Sequence, residues 1–257
     1  MLFPISDDDR HLSGPAYITI ALLLANIGVF VLQLLDPELI YAYSTIPLEI
    51  TTGQDLVNST PADLDVQDLS QIPQRPGPVP IYLTLVSSMF MHGGFGHLFG
   101  NLLYLWIFGD NVEHRFGHGA FLAFYLVSGF AASAAQIALD PTSIIPNLGA
   151  SGAISGVLGA YLVLFPKNRV HAVFFYRVVA VPAVFALGLW IVMQFVSGYG
   201  AIAATEQTGG VAYGAHIGGF LTGVVLALVL RKTIKERPNR LGHAIAEDPR
   251  SGPLWGK

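Results

Sequence analysis

The chain has 257 residues, 53% of them hydrophobic and 12% charged, with 13 Lys and Arg against 17 Asp and Glu for a formal charge of −4. A soluble domain carries about 25% charged residues, so this composition and a mean hydropathy of +0.56 exclude an ordinary water-soluble globule and read as a polytopic helical membrane protein. The net charge points to no nucleic-acid partner, since its sign is distributed by side, and the lack of cysteine excludes thiol nucleophiles, disulfides and cysteine metal sites.

The apolar runs predict six spans. The first covers about Ala16 to Leu35, entered through Gly14-Pro15 and ended by Asp36-Pro37. It is too long, and too acidic in its flank (Asp7, Asp8, Asp9), to be a cleaved signal peptide. A long outer connection follows, from Asp36 to about Phe95. Its Thr51–Pro80 portion is rich in Pro, Asp, Gln and Ser, reads as a flexible insertion, and holds the glycosylation sequon Asn58-Ser59-Thr60. Ile81 to Met91 is apolar again and is expected to dip into the membrane interface or lie along it. The second span runs from about Gly96 to Phe108, or from somewhat earlier, and the third from about Gly119 to Leu139. The fourth runs from Ser151 to Phe165, before Pro166. The fifth is read from Val178 to Ser197, with Pro182 near its start, and the sixth from Val211 to Leu230. The expected fold is an all-α membrane bundle of six helices. Residues 1–15 form an N-terminal segment, 16–230 the membrane domain with its outer loop at about 36–95, and 231–257 a loosely ordered tail.

An even number of spans puts both termini on one side. Arg10, Arg115, Lys167, Arg169, Arg177 and the basic residues of the tail share that side, and Arg75 lies on the other. Basic residues collect in cytoplasmic loops, so both termini are expected to be cytoplasmic.

The fourth span carries Gly149-Ala-Ser151-Gly152. Gly152, Gly156 and Ala160 form a small-residue stripe that lets a neighbouring helix approach closely. The span covers roughly 22 Å of a hydrocarbon core about 30 Å thick, so Ser151 lies below the outer surface. The first N–H groups of a helix have no partner of their own and are positively polarised. A serine hydroxyl beside them is half of an acyl-transfer site. The same four residues also read as plain small-residue packing.

Within the spans the ionisable side chains are His97 and His216, with Asn101 as the polar residue near one of them. Under this topology Ser151, His216, His97 and Asn101 all lie on the order of 10 Å below the outer surface. Gly219, Gly223 and Ala227 form a stripe on the sixth span that matches the one on the fourth, and their packing would carry His216 to Ser151. Each histidine also has a plain reading, as an intramembrane group bonded to a carbonyl or to a neighbouring helix. Taken together the residues suggest a nucleophilic Ser–His dyad, with no carboxylate to make a triad. No metal or cofactor is expected: His92, His97 and His216 lack an HExxH pattern and an assisting carboxylate.

Three motifs in combination resemble the rhomboid family of intramembrane serine proteases: His92 with His97-Leu-Phe-Gly-Asn101, Gly149-Ala-Ser151-Gly152, and Ala215-His216-Ile-Gly-Gly219-x-x-x-Gly223. The resemblance covers about Ala16 to Leu230. It implies Ser151 as nucleophile and His216 as general base. His97, Asn101 and the Ser151 N–H would form the oxyanion hole, Gly149 would admit backbone close to the site, and His92 would line the outer approach. It further implies transmembrane proteins as substrates, cleaved within the lipid bilayer. Two positions depart from the family pattern. Ile81-Tyr82-Leu83 stands where some members have a Trp-Arg pair, so the outer loop must be anchored differently. Ser155 stands where some have a tyrosine stacked on the histidine, so His216 must be oriented in another way.

The loop Gly198–Gly210 reads as a movable cap above the site or as a plain connector. The chain is expected in a bacterial plasma membrane with its site opening outward. The rival readings are a catalytically inactive rhomboid-like protein that binds membrane clients, and a transporter or proton relay built on intramembrane histidines.

Overall fold

The computed structural model describes residues 3–8, 14–57, 75–203 and 212–234. The sequon at Asn58, most of the outer-loop insertion, residues 204–210 of the proposed cap and the tail beyond Ile234 lie outside the described residues. The first long helix, α1, is Tyr17–Leu35. Short helices α2 (Leu39–Tyr43), α3 (Pro47–Thr52) and α4 (Thr84–Ser87, flanked by 3₁₀ turns) lie in the connection from α1 to the next long helix. Long helices follow as α5 (Phe95–Phe116), α6 (His118–Leu139), α7 (Ser151–Leu164), α8 (Ala183–Ala203) and α9 (Tyr213–Thr233). Tyr17–Leu35, His118–Leu139 and Tyr213–Lys232 are long and apolar enough to cross a membrane, whereas the apolar helices Ser151–Leu164 and Ala183–Gly198 are shorter. Helix α5 is as long as α6 but carries Asp110, Glu113 and Arg115 in its last turns.

The protein is mostly helical but not all-α, which corrects the sequence expectation. Strands β1 (Phe3–Ser6), β2 (Arg169–Phe174) and β3 (Arg177–Pro182) form an antiparallel sheet in the order β1-β2-β3. The expected start of the fifth span, Val178 to Pro182, is therefore strand, paired with Arg169–Val173. The reason is local. Val170, Val173, Val178, Val179 and Val181 are β-branched and fit a pleated surface, and a short apolar run does not by itself distinguish strand from helix. At its other end α8 continues through Ala203, so residues 198–203 of the proposed cap are helical.

Helix α7 is the centre of the packing. Every residue from Gly152 to Tyr161 is buried, which is why this helix is apolar on all faces. Burying apolar side chains away from lipid brings no hydrophobic gain, so close packing must hold such helices together. On α9, a Cβ at Gly219 would collide with the carbonyl oxygen of Gly152, and one at Gly223 with that of Gly156. The two backbones touch along the small-residue stripes. Leu105, Phe108, Tyr125, Leu158 and Tyr161, from α5, α6 and α7, fill the core beside this seam.

Two buried polar links fix α1. No side chain of α1 caps its own N-terminus. The carboxylate of Glu113, fully buried near the end of α5, accepts the N–H groups of Ile18 (2.9 Å) and Thr19 (2.7 Å) and the Thr19 hydroxyl (2.8 Å). A carboxylate there satisfies orphan donors and complements the positive end of the helix. At the other end of α1, the Gln33 amide bonds both backbone groups of His92, donating to its O and accepting from its N at 3.0 Å each.

The connection between α1 and α5 has its own anchors in place of a Trp-Arg pair. Thr45 exchanges backbone hydrogen bonds with Asn147 (2.9 and 2.8 Å), and its hydroxyl lies 2.9 Å from both Thr84 O and Ser88 Oγ. Arg75 reaches back to both carboxylate oxygens of Asp36, just beyond α1.

Candidate active site

Asn147 is bridged to Thr45, and Gly149 delivers the chain to α7 at φ +114, in a region that L side chains rarely adopt. The Gly149 N–H donates to Ser88 O at 2.8 Å, so the connection between α1 and α5 holds the loop at the point where α7 begins. Ser151 is the first residue of that helix, and no side chain caps its first turn. The leading N–H groups are thus free of a capping side chain beside the Ser151 hydroxyl.

His216 sits in the first turn of α9. Its Nε2 lies 2.8 Å from Ser151 Oγ, across 65 residues of sequence. This contact follows from the Gly152–Gly219 and Gly156–Gly223 approaches, since a Cβ on those α9 glycines would force the backbones apart. Gly152 is tight on a second side as well, where a Cβ would stand 2.6 Å from Ala132 Cβ of α6.

His97 and Asn101 share one face of α5, one turn apart. A Cβ at Gly149 would lie 2.6 Å from His97 Nε2 and 3.6 Å from Asn101 Nδ2, so both side chains converge on the glycine two residues before Ser151. The His97 Nδ1 accepts the Gly93 N–H at 3.3 Å, which leaves Nε2 as the proton-bearing nitrogen aimed toward the loop. Asn101 Nδ2 is buried and has no hydrogen-bond partner among the described residues. A buried donor in that condition is costly. Together these groups can stabilise negative charge on an oxygen placed between them. His92 is buried behind His97, with ring centroids 5.2 Å apart in an edge-on arrangement. Its Nδ1 bonds Phe90 O at 3.1 Å, and its ring packs against that of His97.

Sequence reasoning missed the partner of His216. Its Nδ1 lies 2.7 Å from Gln194 Oε1 on α8, and the Trp190 indole lies one turn away with its centroid 6.0 Å from the imidazole. Ser155, at the position where an aromatic was absent, instead donates back to Ser151 O at 2.6 Å. A signal for Gln194 exists: within Ala183–Gly198 it is the one side-chain amide in an otherwise apolar helix, and a polar group at such a place is usually functional. A search confined to ionisable residues passed over it.

A cavity of about 30 Å³ opens beside the serine, lined by Ser88, Ser133, Gln136, Asn147, Ser151 and Ala215 among others. Its walls are mostly apolar with a few polar groups among them, and it has room for about two waters. Among the described residues no three His, Cys, Asp or Glu side chains converge as a metal-ligand set.

Residues 81–233 match the Rhomboid domain family model. The chain is 34% identical over 164 residues to Rhomboid protein 1, mitochondrial, of Saccharomyces cerevisiae, an alignment covering 62% of this chain and 45% of that protein. It is 34% identical over 145 residues to Rhomboid protease GluP of Bacillus subtilis, covering 56% of this chain and 26% of the relative. RHOMBOID-like protein 5 of Arabidopsis thaliana is 33% identical over 146 residues, covering 57% and 43%. The chain thus spans less than half the length of each of these relatives.

Proposed function

The chain belongs to the rhomboid family and is an integral membrane protein, and we propose that it is a serine endopeptidase that hydrolyses peptide bonds in or near the transmembrane segments of other membrane proteins. The observation that carries this reading is the 2.8 Å approach of Ser151 Oγ to His216 Nε2. A peptide carbonyl enters beside Gly149. Ser151 Oγ attacks its carbon while His216 Nε2 takes the hydroxyl proton. The carbonyl oxygen becomes an oxyanion between the Ser151 N–H, His97 Nε2 and Asn101 Nδ2. His216 then gives the proton to the leaving amine, and a water from the adjoining cavity, activated by the same imidazole, releases the acyl group from Ser151.

In this reading α1, α5, α6, α7, α8 and α9 are the six spans, and the dyad opens toward the non-cytoplasmic side with both termini cytoplasmic. The support is the distribution of Lys and Arg along the chain, together with the position of Ser151 at the start of a 14-residue helix.

The test is cleavage of a membrane-embedded reporter by purified protein in lipid. Wild type should cut, and Ser151→Ala and His216→Ala should reduce cleavage to background. A serine-directed acylating probe should label wild type and not Ser151→Ala. Full activity in either variant removes the dyad, and a folded, unreactive wild type points to a protein that binds clients without cutting them.

A further inference from the structure

The dyad is short of an orienting group if only the helices that carry it are considered. Ser151 lies on α7 and His216 on α9, and among the described residues no carboxylate bonds the imidazole. The titratable neighbour that acts on His216 is His97 of α5. For Ser151 to donate its proton, Nε2 must present a lone pair, so Nδ1 must carry the ring proton. That N–H then needs an acceptor at a depth where water is scarce. Gln194 Oε1 stands 2.7 Å away.

Resting on the dyad assigned above, we infer that Gln194 is the positioning residue of this site: its amide oxygen accepts the His216 Nδ1 proton and so fixes both the tautomer and the ring plane of the base. The amide does this without a buried negative charge, which would be costly within a membrane. Trp190, one helical turn from Gln194 on α8, flanks the same ring with an interplanar angle of 37° and limits its tilt. Both supports come from α8, a helix that contributes neither dyad residue. The base is therefore set up only while α8 is docked against α9, and a shift of α8 would release the imidazole from its productive tautomer without moving Ser151.

The experiment compares wild type, Gln194→Met and Gln194→Glu as full-length protein in lipid vesicles. Methionine approximates the size of glutamine but accepts weakly, whereas glutamate keeps an acceptor oxygen and adds charge. For Gln194→Met the expected result is a kcat lowered about 10- to 100-fold with KM changed less than about threefold. Gln194→Glu should retain most of the rate, with the acid limb of its pH–rate profile moved upward by about one pH unit or more. Spectra of ¹⁵N-histidine, with His216→Ala used for assignment, should show Nδ1 protonated in wild type and a tautomer mixture in Gln194→Met. A Gln194→Met protein with wild-type kcat and tautomer overturns the inference, as does a Gln194→Glu protein as slow as Gln194→Met with an unmoved profile. If wild type itself does not cut, the hydrolase reading fails, and the tautomer spectra still decide whether Gln194 holds His216.

Discussion

The α-carbon of Gly219 faces the carbonyl of Gly152 so closely that a methyl group there would overlap the oxygen. This contact between α9 and α7 sets the distance between His216 and Ser151. Gly219→Ala is expected to push the helices apart, lower stability by roughly 1–3 kcal/mol and reduce reporter cleavage more than about tenfold. Gly28→Ala on α1, where a Cβ meets nothing within 4 Å, should leave both unchanged. Unfolding in detergent and cleavage rates check the pair.

Gly149 combines a positive φ of 114° with a side-chain position filled by His97 Nε2. Gly149→Ala should therefore meet strain of roughly 1–3 kcal/mol and displace His97 from the proposed oxyanion position. Cleavage is expected to fall on the order of 100-fold while the protein stays folded, as read by size-exclusion profile and helical circular dichroism.

Asn101 Nδ2 has no hydrogen-bond partner among the described residues to lose. Asn101→Ala should then leave unfolding almost unaffected and lower kcat by about 10²- to 10³-fold, the usual loss for an oxyanion donor. A variant that loses stability but keeps kcat would assign Asn101 to packing instead.

Glu113 accepts donors from α1 with both of its carboxylate oxygens. Glu113→Ala leaves those buried donors without a partner and should cost on the order of 3–5 kcal/mol. Thr19→Val, which removes the hydroxyl bond alone, should cost about 1 kcal/mol. Denaturation of the purified protein in mixed detergent micelles distinguishes the two losses.

In the connection between α1 and α5, burial pushes the Glu49 carboxyl up from 4.5 to about 7, against the opposing hydrogen bond from the Leu56 N–H, and Asp55 adds to the rise. A carboxyl with a raised value binds its proton more tightly when folded. Its stabilising contribution is complete below about pH 4.5 and is lost as pH rises through about 7. Amide exchange in residues 47–57, corrected for the intrinsic rate, should be slower at pH 5 than at pH 8. Glu49→Gln should abolish the difference.

Local pattern in the sequence was sufficient for the membrane character, for the limits of α1, α6 and α7 to within about a residue, and for the small-residue stripes on α7 and α9. Each of these depends on residues that are near neighbours along one helix, where spacing and composition speak directly. Strands β2 and β3 were hidden because a valine-rich run suits a strand or a buried helix equally until a partner strand is present. Glu113 read as one of a charged cluster at a helix end, and its role appeared only when α1, about 95 residues away in sequence, was brought against it. Gln194 went unread, because nothing along α8 itself shows that His216 of α9 faces it. The motifs named Ser151, His216, His97 and Asn101, but not what orients the imidazole or what Gly149 faces. Those are properties of helices meeting at an angle and depth that no single segment encodes, because a hydrogen bond of 2.7 Å between α8 and α9 exists only once the whole bundle has closed around α7.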